Sequence, residues 1–151
     1  MIAYARESYD QAIGDVRPWL EQHWREMAQR QDDIPLDPDF DTYKRLFDMG
    51  LMAIYTARDD GRLIGYCIMY IAPRHLHYAH RWAKDDTIWI EPKHRNIGVA
   101  MGLFEFFEQD LAKDGPIVIQ IESRYGHPAL EQLLDARGYS PTGRIAGKRF
   151  A

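Results

Sequence analysis

The chain has 151 residues and a formal net charge of −4, and that acidity argues against broad non-specific nucleic-acid binding, which needs a basic face. Hydrophobic residues make up 46% and charged residues 28%, which excludes a disordered chain and fits one domain, residues 1–151, with a sizeable core. The single cysteine, Cys67, excludes an internal disulfide; no apolar run reaches membrane-spanning length, and charged Arg6, Glu7 and Asp10 are unlike a signal peptide, so a cytoplasmic location is expected.

"MIAYA" reads as a short first strand. "SYDQ" then has the spacing of a capping box, with Ser8 as N-cap and Gln11 three residues on. Ile13, Val16, Leu20, Trp24 and Met27 recur at three- and four-residue steps, as an amphipathic helix requires. Pro18 falls inside this pattern and predicts a kink or two abutting helices. "DDIPLDPDFD" is polar with two prolines and reads as a loop; "TYKRLFDMG" suits a short helix closed by Gly50.

Two apolar runs follow, "LMAIYTA" and "RLIGYCIMYIA", joined by "RDDG", whose Asp-Gly pair signals a hairpin. Cys67 falls in the middle of the second run with no activating base nearby, so it reads as a core thiol. The His- and aromatic-rich "PRHLHYAHRW" is an irregular connection to the next strand, "DTIWI". The spacing of His75, His77 and His80 does not match a common closed zinc site, so no metal is assigned. Val99 to Lys113 reads as a helix, "PIVIQIES" as a strand, "HPALEQLLDARG" as a helix ending at Gly138, and "GRIAGKRF" as a last strand. The order predicts an α/β or α+β layered fold with a mainly antiparallel front half.

The most informative stretch is "IWIEPKHRNIGVAMGL": strand, proline, basic glycine-bearing turn, helix. The first turn of a helix has unpaired N–H groups and a positive dipole end, which favour phosphate. Gly98 and Ala100 leave the backbone uncovered, and Arg95 adds a permanent positive charge. The turn is neither a Walker A loop nor a G-x-G-x-x-G fingerprint. Two readings stand side by side: a cradle for a phosphate-bearing ligand, or an ordinary helix start with Asn96 as N-cap.

Arg95-x-x-Gly98-x-Ala100 resembles the hallmark of the GNAT (Gcn5-related N-acetyltransferase) family, Gln/Arg-x-x-Gly-x-Gly/Ala at a helix start after a central strand. The likeness covers nearly the whole chain, through the Asp-Gly hairpin to Gly138-Tyr139, where the family often has Gly-Phe. "SRYGHPALEQLLDARGY" and "LHY" also look like a group of small members found in phage and prophage genomes. The resemblance implies a mixed, mainly antiparallel central sheet, flanked by helices on both faces and splayed at its central strands. It implies acetyl-CoA as co-substrate and an amine acceptor, and it is compatible with a homodimer. Arg95, Asn96, Ile97, Gly98, Val99 and Ala100 would hold the pyrophosphate. The backbone of Ile88, Trp89 and Ile90 would run beside the pantetheine.

Acetyl transfer to an amine needs a neutral amine and benefits from a proton donor for the departing thiolate. Strand parity, without a bulge, puts Asp86 on the same face as Ile88 and Ile90, so Asp86 is the preferred base and Glu122 the second candidate. The position of the family's usual tyrosine acid holds Leu134, which cannot donate a proton; Tyr125 and His127 are the nearby candidates. The Trp19, Leu20 and Trp24 group is expected to be core or a cover over the acceptor cleft, and the "PRHLHYAHRW" loop to border it. Two function classes follow. One is an N-acetyltransferase acting by direct transfer in a ternary complex. The other is a catalytically degenerate GNAT-fold protein that binds a protein partner, with or without CoA.

Overall fold

A computed structural model describes residues 1–27, 34–123, 128–143, 145 and 148. The chain starts as strand β1 (Ile2–Glu7) and enters helix α1 (Tyr9–Met27) through the reciprocal cap that "SYDQ" announces. Gln11 N donates to Ser8 Oγ at 3.3 Å, and Ser8 N donates to Gln11 Oε1 at 3.0 Å. Helix α1 continues unbroken through Pro18, so the alternative of two abutting helices is corrected. Proline removes one intrahelical bond, but Ala12 and Val16 are fully buried on the face that packs on the sheet, and that packing holds the turns together.

Helix α2 (Phe40–Asp48) begins at Asp39, whose carboxylate accepts from Thr42 N at 2.9 Å. Strands β2 (Met52–Asp59) and β3 (Arg62–Ala72) form the expected hairpin. Its two turn residues, Asp60 and Gly61, both have positive φ (46° and 84°), the twist-matched geometry for which Asp-Gly is suited. Strand β4 (Arg81–Ile90) leads through a single 3₁₀ turn, Pro92–His94, into helix α3 (Ile97–Ala112). Strand β5 (Ile117–Gln120) and helix α4 (Pro128–Ala136) follow. The expected strand over "GRIAGKRF" falls largely outside the described residues.

The sheet order is β1-β2-β3-β4-β5, antiparallel throughout except for the parallel pair β4–β5. Helices cover both faces. Helices α1 and α2 pack with Met52, Ile54, Tyr66, Ile68 and Trp89 on one side. Helices α3 and α4 pack with Tyr55, Cys67, Met69 and Ala83 on the other. Cys67 is fully buried, as its place in the β3 run suggests, and burial pushes its thiol well above the ordinary range. No helix among the described residues is long and apolar enough to cross a membrane.

Helix α3 sits close to β1 because Gly102 has no side chain. A Cβ at Gly102 would overlap the Tyr4 hydroxyl and ring. Tyr4 Oη lies 3.3 Å from Val99 O, so the ring is held where the methyl would go. Gly102→Ala should therefore cost about 1–3 kcal/mol by overpacking. In a double-mutant cycle read by urea unfolding, Tyr4→Ala should relieve much of that cost, whereas strict additivity would show that the contact is not the cause.

Candidate functional site

The site is built where β4 and β5 part. The two strands pair only over Arg81–Lys84 and Ile117–Gln120. From Asp85 to Ile90, β4 keeps β3 on one side and has no strand partner on the other among the described residues. The corner of this fork is closed by side chains. Asp85 Oδ1 accepts from Glu122 N at 2.7 Å, and Lys84 Nζ lies 3.3 Å from Glu122 Oε2.

A register shift between Ile68 and Met69 leaves Asp86 without a partner in the β3–β4 ladder, since Ile68 pairs with Thr87 and Met69 with Asp85. This bulge corrects the parity argument. Ile88 packs in the α3–α4 core and Ile90 against Val99, whereas Asp86 is turned to the α1–α2 face together with Thr87. One extra residue in a strand reverses the alternation beyond it, and no sequence pattern marks the place. Asp86 remains a carboxylate at the fork, but it faces the opposite side from the one parity gives.

There Asp86 accepts a hydrogen bond from Tyr43 Oη at 2.6 Å. Burial first, and then the bond to Asp86, push the Tyr43 phenol far above its ordinary range, so it remains a donor near neutral pH. Burial and the charge of Asp86 also push Tyr70 up. Next to them, His23 Nδ1 lies 2.9 Å from Tyr66 Oη and 3.1 Å from Thr87 Oγ1. Asp86, Thr87, His23 and Tyr43 all line a cavity of about 450 Å³ between α1, residues 34–38, α2 and the sheet. Leu20 and Trp24 form part of its wall, while Trp19 packs at a tilt against Trp89 with ring centroids 4.8 Å apart. The "PRHLHYAHRW" loop is not among the cavity's described lining residues; its His75 and Tyr78 rings stack on each other at 3.9 Å. The loop leaves the sheet beyond the paired ends of β3 and β4, away from the bulge.

The turn after β4 shows both features that its sequence left open. Asn96 is the N-cap of α3, its side chain accepting from Val99 N at 3.1 Å. Gly98 is not held to glycine by its φ, which is not positive; a Cβ there would press on the capping oxygen, Asn96 Oδ1, at 3.3 Å, and would otherwise leave the start of the helix open among the described residues. Uncovered backbone at a helix start is what an anionic group needs. Arg95 is not a free cation. Its Nε donates to Ile90 O at 2.8 Å, and its guanidinium pairs with Glu26 of α1. Arg95 thus ties the turn to both the strand and the helix behind it. Val99 is buried and Ala100 half-buried. The Ile88, Trp89 and Ile90 side chains go to core packing, which leaves only their main chain for a ligand in the fork.

Glu91 escaped sequence reasoning. It is 8% exposed and gathers Arg62 (2.6 Å), His94 Nδ1 (2.8 Å) and Lys93 (3.4 Å). The Arg62 bond is the main reason its carboxyl is held down to about 2. It anchors the turn that carries Arg95. Leu134 packs in the α3–α4 core at 9% exposure and has no acid–base capacity. Tyr125 and His127 lie outside the described residues. His23 and Tyr43 were also missed, because their helical spacing reads only as core.

A model of the Acetyltransferase (GNAT) family matches residues 15–139. The fold is similar to the ribosomal-protein-alanine N-acetyltransferase of Brucella melitensis biovar Abortus 2308 (TM-score 0.73, 17% identity, 100% of each chain). It is also similar to an aminoglycoside acetyltransferase from an uncultured soil metagenomic sample (TM-score 0.78, 15% identity, 100% of this chain and 99% of the other). A third similar structure is AAC(6')-Iy in complex with the bisubstrate analogue CoA-S-monomethyl-acetylneamine (TM-score 0.68, 17% identity, 100% and 99%).

Proposed function

This chain belongs to the GNAT family of acetyltransferases, and we propose that it transfers acetyl from acetyl-CoA to a primary amine within a ternary complex. The observation that carries the reading is the fork: a length of β4 that has no strand partner on its β5 side among the described residues runs from the cavity at Asp86 toward the start of α3. Residues 1–151 would act as one acyltransferase domain. The "SRYGHPALEQLLDARGY" and "LHY" stretches resemble the small phage and prophage members of the family.

Acetyl-CoA is the acyl donor. In this reading the turn Asn96 to Ala100 receives its pyrophosphate chiefly on the N–H groups of Ile97 and Gly98, since Asn96 N donates to His94 O and Val99 N to the Asn96 side chain, with Gly98 as the point of close approach. Arg95 sets the shape of that turn more than it supplies charge, because Glu26 already balances it. The main chain of Ile88 to Ile90 borders the pantetheine. Asp86 takes a proton from the acceptor ammonium, and the neutral amine attacks the thioester carbonyl. Holding both reactants in the fork supplies the proximity part of catalysis. Glu122 is the weaker candidate for base, because it is paired with Lys84 at the corner. Tyr125 and His127 keep their place as candidate donors to the thiolate.

Isothermal calorimetry tests the donor site. The wild type should bind acetyl-CoA, and Gly98→Trp should weaken binding about tenfold or more by covering the cradle. An unaffected Gly98→Trp, or a wild type that does not bind, would overturn the cradle. The buried Leu134 favours a second reading, a fold that binds a protein partner without catalysis. Release of CoA on any primary amine excludes it.

A further inference from the structure

The cavity above Asp86 has a lopsided chemistry. Its polar groups are gathered at the sheet end, where Asp86, Tyr43, Thr87 and His23 meet. Away from that end its wall is apolar and ring-bearing: Tyr9, Ile13, Leu20, Trp24, Phe40 and Phe47. Among its described lining residues there is no lysine or arginine, and the carboxylate besides Asp86 is Asp37, exposed on the 34–38 segment. Two cations sit over rings of this wall, Arg17 at 4.0 Å from the Phe40 ring centroid and Lys44 at 5.7 Å from that of Tyr9.

This arrangement suits one positive charge on an apolar body. A sugar carrying several ammonium groups would need several acids and many hydrogen-bonding groups, and would meet Arg17 besides. The volume of about 450 Å³ falls in the roughly 300–1,000 Å³ range of small-molecule sites. Rings at Tyr9, Trp24, Phe40 and Phe47 offer the offset and edge contacts that an aromatic guest favours. Resting on the transferase reading above, we propose that the acceptor is a small arylalkylamine, its ammonium on Asp86 and its ring among Trp24, Phe40 and Phe47. The bond formed is amide N–C and the bond broken is thioester C–S. The ammonium gives up two protons; one ends on the departing CoA sulfur and one goes to solvent.

The test uses the full chain with 2-phenylethylamine, neutral 2-phenylethanol, ethylamine, kanamycin and an alanine-terminated peptide. Tryptophan fluorescence without acetyl-CoA should show 2-phenylethylamine binding, about tenfold weaker in Asp86→Asn, with 2-phenylethanol unaffected by that change. Phe40→Ala should weaken 2-phenylethylamine but not ethylamine, which separates loss of the ring contact from misfolding. With acetyl-CoA present, kcat/KM for 2-phenylethylamine should exceed those for kanamycin and the peptide by about tenfold or more. Preference for kanamycin or the peptide, or no binding of 2-phenylethylamine by a wild type that does bind acetyl-CoA, overturns the arylalkylamine acceptor alone. Binding of 2-phenylethylamine without any binding of acetyl-CoA supports the pocket assignment and overturns the transferase reading instead.

Discussion

Asp86→Asn should lower kcat/KM by about 100-fold or more, the low end of what a positioned general base contributes. That is about 2.7 kcal/mol of transition-state stabilisation. The pH–rate profile should move to higher pH, because without the carboxylate the amine must lose its proton to solvent before it attacks. The substitution is conservative for the fold. An Asn side chain still accepts from Tyr43 Oη, now 2.6 Å from the Asp86 carboxylate, so only the charge-assisted part of that bond is lost, about 1 kcal/mol. Circular dichroism and the unfolding midpoint should therefore change little while the rate falls. Glu122→Gln separates the two candidate bases. It breaks the pair with Lys84 but leaves the Glu122 N–H on Asp85, so it should leave the pH dependence near that of the wild type. A wild-type profile in Asp86→Asn, or an alkaline shift in Glu122→Gln, would move the base from one to the other.

Much of the architecture was legible in local patterns because local chemistry causes it. The Ser8–Gln11 cap, the Asp60–Gly61 turn and the glycine at position 138, with φ of 81°, each follow from what a few neighbouring residues can do. The start of α3 was legible too, down to the cap by Asn96. What stayed hidden depends on elements far apart in the chain. The bulge at Asp86 arises from the register of β4 against Ile68 and Met69, and it reverses which face the carboxylate occupies. Tyr43 reaches Asp86 and His23 reaches Thr87 only once α1 and α2 are laid on the sheet. In the sequence those residues are members of an amphipathic stripe, and nothing separates a cavity wall from a core contact. The same holds for Arg95, whose charge suggests a phosphate ligand until Glu26, 69 positions away, is seen to balance it.

Asp85→Asn should stabilise the protein near pH 8 and have little effect near pH 4. Asp85 is largely buried where β4 and β5 part, and burial pushes its carboxyl up to about 6. The bond from Glu122 N and the charge of Lys84 pull the other way, and the charge of Glu122 adds to the rise. The sign follows from proton binding. The unfolded carboxyl titrates near 3.9, so between about 4 and 6 the folded chain holds the proton more tightly. Stability therefore falls as pH rises through that window. Above about 6 the penalty is fully present, on the order of 3 kcal/mol for a shift of about two units. Asparagine cannot ionise, yet its Oδ1 can still accept from Glu122 N, so the corner of the fork keeps its closing bond. The variant should gain about 1–3 kcal/mol near pH 8, or a midpoint rise of about 5 °C, shrinking toward zero as pH falls to about 4. A pH-independent gain would mean that packing, not ionisation, is responsible. A loss near pH 8 would show that the Asp85 charge is net stabilised by Lys84 and the Glu122 N–H. A confirmed gain would mean that the fork carries a buried acid at a cost to stability, the trade expected where a position serves a site rather than the fold.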